Sequence, residues 1–172
     1  MRILAAGSLR VVWPQLMAAF QADAVCDFGP AGLLRERIEA GEACDFFASA
    51  NLAHPQALLE SGRALRVAPF TTNRLCLSVR AQAMREGEDW LINHDYTDIF
   101  IGYASYAPRL RQVNSLRVVD IPEPYNPVAE YGFACLSEQG KTLADFLLSA
   151  RARLILMQHG FSEAPNMTHS QN

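Results

Sequence analysis

Short apolar runs alternate with amphipathic stretches along the first third of the chain. Ile3-Leu4-Ala5-Ala6 is closed by Gly7, and a helical spacing follows through Trp13, Leu16, Met17 and Phe20. The pattern predicts a strand over 2–6 and a helix over 11–22. It recurs twice, as strand 24–28 before helix 31–40 and strand 44–48 before helix 54–62. Strands that alternate with helices in this way predict a parallel sheet with helices on its faces. Gly7, Gly41 and Gly62 stand where an element must stop, and Pro14 lies early enough in its helix that a missing N–H costs little.

Past residue 63 the pattern is looser. Residues 66–80 read as extended chain, and 84–93 as a polar helix anchored by Trp90 and Leu91. Ile99 to Tyr103 reads as a buried strand, with Phe100 and Tyr103 in the core. Further strands are expected over 117–121, ended by Pro122 and Pro124, and over 131–136. One long helix is expected over 138–158, started by Ser137 and stopped by Gly160. The tail from Ser162 is polar and is expected to be loose.

Composition narrows the class. The 172 residues give room for one ordinary core and a small second lobe. Half of them are apolar and 19% are charged, the balance of a globular protein and not of a disordered one. A net charge of −3, a single lysine (Lys141) and no basic run argue against a nucleic-acid surface. No apolar stretch approaches the roughly 18 residues that span a bilayer, so no direct membrane insertion is expected. Nothing near Met1 has the form of a signal peptide. The four cysteines, Cys26, Cys44, Cys76 and Cys135, form no CxxC pair and read as buried free thiols, with no metal site. None of the four histidines sits in a catalytic or metal motif, so no enzyme is expected.

The candidate chemistry lies at the carboxyl ends of the first three strands, where open parallel sheets bind ligands. Gly7-Ser8 follows the first, Gly29-Pro30-Ala31-Gly32 opens a helix after the second, and Ser49-Ala50-Asn51 follows the third. Such turns offer hydroxyls and backbone N–H groups to a small anion. Each also has a plainer reading: Ser8 as a helix start, the glycines as an ordinary turn, Ser49 and Asn51 as helix caps. Taken together they offer several donors and no basic side chain. Each bond to a charged group contributes roughly 1.5–3 kcal/mol, so convergent neutral donors can hold a dianion. A donor-only pocket leaves a protonated oxyanion with an unpaired O–H, which favours fully ionised tetrahedral oxyanions over hydrogen phosphate.

Motifs along nearly the whole chain resemble the molybdate-binding proteins of ABC transporters. They are Ala5-Ala6-Gly7-Ser8-Leu9, Phe28 to Leu34, Ile38 to Gly41, Cys44 to Ala50, Asp98 to Tyr103, Glu130-Tyr131-Gly132 and His159-Gly160-Phe161. The resemblance implies an α/β type II periplasmic-binding-protein fold, a mostly parallel sheet with flanking helices and a reduced second lobe. The main lobe would be 1–80 with 122–161, the reduced lobe 81–121, and the loose tail 162–172. Relatives carry additional chain between Ala81 and Trp90, which Met84 to Asp89 bridge here. The implied site is Ser8 with its hydroxyl, Ala31 and Gly32 with backbone N–H groups, Ser49, Gly102 with a backbone N–H, and Tyr131 with its phenol.

The implied function is that of a solute-binding protein for molybdate or tungstate first and sulfate after, in ABC-type uptake. Molybdate or tungstate would be the ligand, with no cofactor and no protein ligands to a metal. The partners would be that small oxyanion and the transporter's membrane subunits. The alternative is a non-transport interaction or sensor module derived from that fold, one that could do without ligand and could form a homodimer through the reduced lobe. The location is periplasmic by the resemblance, and cytoplasmic if Met1 is the native start.

Overall fold

Burial explains why the first strand comes where it does. The computed structural model describes residues 1–80 and 99–164. Within β1 (Arg2–Ala6) every residue from Ile3 to Ala6 is buried, because strands cover both of its edges and helices both of its faces. A 3-10 turn, Gly7–Leu9, leads to α1 (Trp13–Phe20). β2 (Val25–Gly29), α2 (Ala31–Glu39), β3 (Phe46–Ser49) and α3 (Ala53–Glu60) complete the expected alternation. β4 (Arg66–Asn73), β5 (Leu75–Arg80), β6 (Ile99–Tyr103), the short α4 (Ala107–Leu110) and β7 (Leu116–Asp120) follow. The chain ends with β8 (Ala129–Cys135), α5 (Glu138–Leu147) and α6 (Ala150–Gln158). The helix expected at 84–93 lies outside the described residues.

The single long helix expected over 138–158 is two. α5 closes at Leu148, whose N–H donates to the Ala144 and Phe146 carbonyls. Ser149 then starts α6, with its hydroxyl accepting the Ala152 N–H at 3.3 Å.

The chain divides into two units. The first holds Met1–Thr72, Ala129–Gln158 and the segment from Ser162 onward; the second holds Asn73–Val128 and His159–Phe161. The second is therefore larger than the expected 81–121. The reason is β5, read with the main lobe, which pairs antiparallel with both β6 and β7. The tail is also better held than expected at its start. Ser162 and Thr72 exchange backbone bonds of 2.8 and 2.9 Å, and Ala164 is fully buried.

In the first unit the sheet order is β2-β1-β3-β8-β4. β1 pairs parallel with β2 and β3, while β8 pairs antiparallel with β3, so the sheet is mixed. Side chains alternate across it. Leu4, Phe47 and Ala134 face α2 and α3, packing on Leu34, Ile38 and Leu58. Phe46 and Phe133 point the other way, their rings 5.2 Å apart. On that face lies α5, which approaches so closely that a Cβ at Gly140 would meet the Asp45 carbonyl. α1 joins it there, through Phe20 against Phe146 and through packing on α6.

In the second unit the sheet order is β6-β5-β7 among the described residues. Two buried asparagines fasten it. The Asn126 amide donates to Leu75 O at 2.8 Å and accepts the Leu75 N–H at 2.9 Å. Asn73 donates to the Ser105 hydroxyl at 2.9 Å and accepts the Ser105 N–H. Tyr103 is half-buried, but Phe100 and Ile101 are 65% and 58% exposed, contrary to the buried strand expected there.

A four-membered ion network binds β1, β2 and α2 at the opening ends of the strands. Arg2 reaches Asp27 and Glu42, each at 2.9 Å, and Arg37 reaches Glu42 at 2.6 Å and Asp27 at 3.3 Å. Hydrogen bonds from Arg37 first, then from Arg2, pull the Glu42 carboxyl from 4.5 to about 2. A group depressed on folding contributes stability above its unfolded value and loses it as pH falls through its folded value. Glu42→Gln is therefore expected to lower the thermal midpoint by its full amount above about pH 4.5. The gap to the parent protein should close as pH falls toward about 2, and a gap unchanged over that window would contradict the assignment.

Candidate functional site

Parallel pairing brings the carboxyl ends of β1, β2 and β3 to one edge of the first unit's sheet. Ala6 is level with Gly29, and Ala5 with both Phe28 and Ala48. The antiparallel β8 begins at the same edge, where Gly132 is level with Ser49. A Cβ at Gly132 would collide with the Leu52 side chain and touch the Ala68 carbonyl, and the Leu52 N–H donates to Glu130 O at 3.0 Å. The entry of β8 is thus held on both sides.

Ser8 sits in the turn after β1, two residues beyond the last paired residue of the strand, and is half-buried. Tyr131, on β8, is fully buried, and its phenol donates to the Ser8 hydroxyl oxygen at 2.8 Å. Phe70 meets the Tyr131 ring edge-on, with centroids 6.4 Å apart and planes at 89°.

Ala31 is the first residue of α2 and Pro30 its N-cap, with no side-chain cap. The N–H groups of the first turn therefore have no partner within the helix, and the positive end of its dipole lies beside the Ser8 turn. Gly32 follows in that turn. The His54 ring lies 3.8 Å from where a Gly32 Cβ would be, an ordinary contact, so the position does not demand glycine. Burial first, and then Arg35, hold the His54 imidazole below its usual value, against the pull of Glu39. It is neutral at neutral pH and adds no fixed charge.

Ser49 is fully buried at the end of β3. Its hydroxyl donates to Asn51 O at 2.7 Å and accepts the Asn51 N–H at 3.1 Å. Asn51 in turn accepts the Ala53 N–H at 2.9 Å with its side-chain oxygen, one residue ahead of Leu52, the N-cap of α3. The Ser49 proton is thus committed within its own turn. Gly102 stands in the second unit, on β6 opposite Cys76.

Two features of the site were not read from the sequence. One is the Tyr131–Ser8 bond itself. The other is Arg10, whose guanidinium lies 5.1 Å from the Phe28 ring centre. It is exposed and puts a positive charge near the ends of β1 and β2. All four cysteines are free; burial is the main force raising their thiols, Cys26 to about 12 and Cys44 and Cys135 to about 11. Among the described residues no group of three or more His, Cys, Asp or Glu is placed to hold a metal ion. No described helix is long and apolar enough to cross a membrane.

A family model for bacterial extracellular solute-binding proteins matches residues 1–93 and 91–162. An uncharacterized protein of Pasteurella multocida (strain Pm70) is 33% identical over 221 residues, covering 86% of this chain and 92% of its own length. Among solved structures, the periplasmic molybdate-binding protein of Azotobacter vinelandii aligns with a TM-score of 0.80 at 12% identity, over 95% of this chain and 99% of that one. The substrate-binding domain of a molybdenum ABC transporter protein from Clostridium difficile gives 0.75 at 17% identity, over 95% and 98%. The sulfate-binding protein SubI of Mycobacterium tuberculosis H37Rv gives 0.74 at 13% identity, over 96% and 87%. At these identities the likeness is one of fold.

The bonds of Ser49 generate a prediction. Ser49→Ala should lower stability by about 0.5–1.5 kcal/mol, because the fully buried hydroxyl and its bonds to the Asn51 backbone are lost. Urea denaturation measures it, and an unchanged midpoint would contradict the bracing role.

Proposed function

The chain belongs to the bacterial extracellular solute-binding protein family, and we propose that it binds a tetrahedral oxyanion, molybdate or tungstate before sulfate. The observation that carries this reading is the meeting of the Ser8 turn and the uncapped start of α2 at one sheet edge. The strands that deliver them lie side by side, with Ala6 level with Gly29. Adjacent strands are about 4.8 Å apart, so one small anion spans both. Ser8 would donate its hydroxyl, and Ala31 and Gly32 their N–H groups. These donors are uncharged, and several of them can hold a dianion at roughly 1.5–3 kcal/mol each. Arg10 would draw anions toward the edge without needing to touch them. The names of the structural neighbours, which include molybdate and sulfate binders, favour the same ligand class. For Gly102 the reading rests on the resemblance alone. The binding step requires no catalysis, and delivery to the membrane subunits of an ABC transporter would be its physiological sequel.

A second reading is favoured by the apolar exposure of Phe100 and Ile101. The family model matches in two pieces that meet at residues 91–93, close to the Ala81–Trp90 stretch where additional chain is expected in relatives. A non-transport derivative could cover those two side chains with a second copy of itself.

One set of measurements separates the readings. A ligand at about 100 times its Kd stabilises the folded state by about 2.7 kcal/mol. Molybdate or tungstate is therefore expected to raise the thermal midpoint of a protein that elutes as a monomer. No shift with molybdate, tungstate or sulfate would overturn the oxyanion reading, and a dimer that ignores all three would favour the second.

A further inference from the structure

We propose that Tyr131 is a positioning residue that acts on the anion through Ser8, and is not itself a direct ligand. The inference deepens the oxyanion reading and rests on it. The resemblance assigns the phenol to the anion, but the phenol is spent elsewhere: it donates to the Ser8 oxygen at 2.8 Å from a fully buried ring. A hydroxyl has one proton to give. With its oxygen already accepting from Tyr131, Ser8 must direct its own proton to a different acceptor. The anion at the mouths of β1 and β2 is that acceptor.

The direction of the pair follows from acidity, since a phenol is a better donor than an aliphatic alcohol and Ser8 a better acceptor than Tyr131. Donation into the Ser8 oxygen also polarises its O–H, which strengthens the next bond in the chain. The relay is fixed in place. Phe70 packs edge-on against the ring, and Gly132, the next residue, is confined by Leu52 and the Ala68 carbonyl. Swinging the phenol out to touch a ligand would break the Ser8 bond and disturb this packing.

A double-mutant cycle tests the relay, with Kd for molybdate read by calorimetry. Tyr131→Phe keeps the ring and removes only the hydroxyl, and should weaken binding about 10-fold. Ser8→Ala should weaken it by at least as much. In the Ser8→Ala background, Tyr131→Phe should cost nothing further, because its only route to the anion is gone. Ser8→Thr, which keeps a hydroxyl, should restore the dependence on Tyr131. That rescue is not expected of a purely structural role, whose effect would be the same in every background. Losses that multiply in the double variant, or a Tyr131→Phe protein that binds like the parent, would overturn the relay while leaving the oxyanion reading intact. A parent protein that binds no molybdate, tungstate or sulfate would end that reading, and the relay with it.

Discussion

A strand from the far end of the chain enters the first unit's sheet beside β3, running against it, and the site depends on that entry. β8 pairs antiparallel with β3, so its first residues arrive at the edge where β1, β2 and β3 finish. Only this direction puts Tyr131 beside Ser8, which lies 123 residues away in sequence. A parallel β8 would have carried Tyr131 to the opposite edge, among the ions of Arg2, Asp27, Arg37 and Glu42. The two edges are thus chemically distinct. One is closed by a network of opposite charges, and the other offers neutral donors and an exposed arginine.

Neutral donors suit an anion that must also leave. A buried counter-charge binds more strongly, but it costs several kcal/mol of desolvation when the site is empty. Backbone N–H groups at a helix start carry their partial charge whether or not a ligand is present, already pointed the right way. His54 fits the same economy. It packs against the first turn of α2 and is held neutral by burial and by Arg35, so it fills space beside the donors without adding charge.

Much of the fold was legible in the sequence, and the gaps have physical causes. The first three strands and helices announce themselves because each strand is a short apolar run and each helix an amphipathic one. The strand at 131–136 was visible, but its direction was not, since pairing such as Phe46 with Cys135 is a long-range choice. The break between α5 and α6 hid because both halves keep a helical pattern, and Ser149 was its one local sign. The start of the second unit hid for a similar reason. β4 and β5 are separated by Arg74 alone, and the fastening work of Asn73 and Asn126 shows only in three dimensions. Of the candidate site, the turn that carries Ser8 and the helix start at Ala31 were readable as local structure, and their role as donors is the proposal. Ser49 carried both a cap and a ligand reading in sequence, and its hydroxyl bonds the Asn51 backbone. The partner of Tyr131 could not be read, because nothing local says which turn its phenol meets.

Anomalous scattering from molybdenum in crystals grown with molybdate tests the central claim most directly. The account predicts a peak beyond the ends of β1 and β2, with oxo atoms about 2.7–3.2 Å from the Ser8 hydroxyl and the Ala31 N–H, and with the Tyr131 phenol still on Ser8. A peak elsewhere on the molecule, or none at a molybdate concentration that saturates other binding proteins, would contradict it.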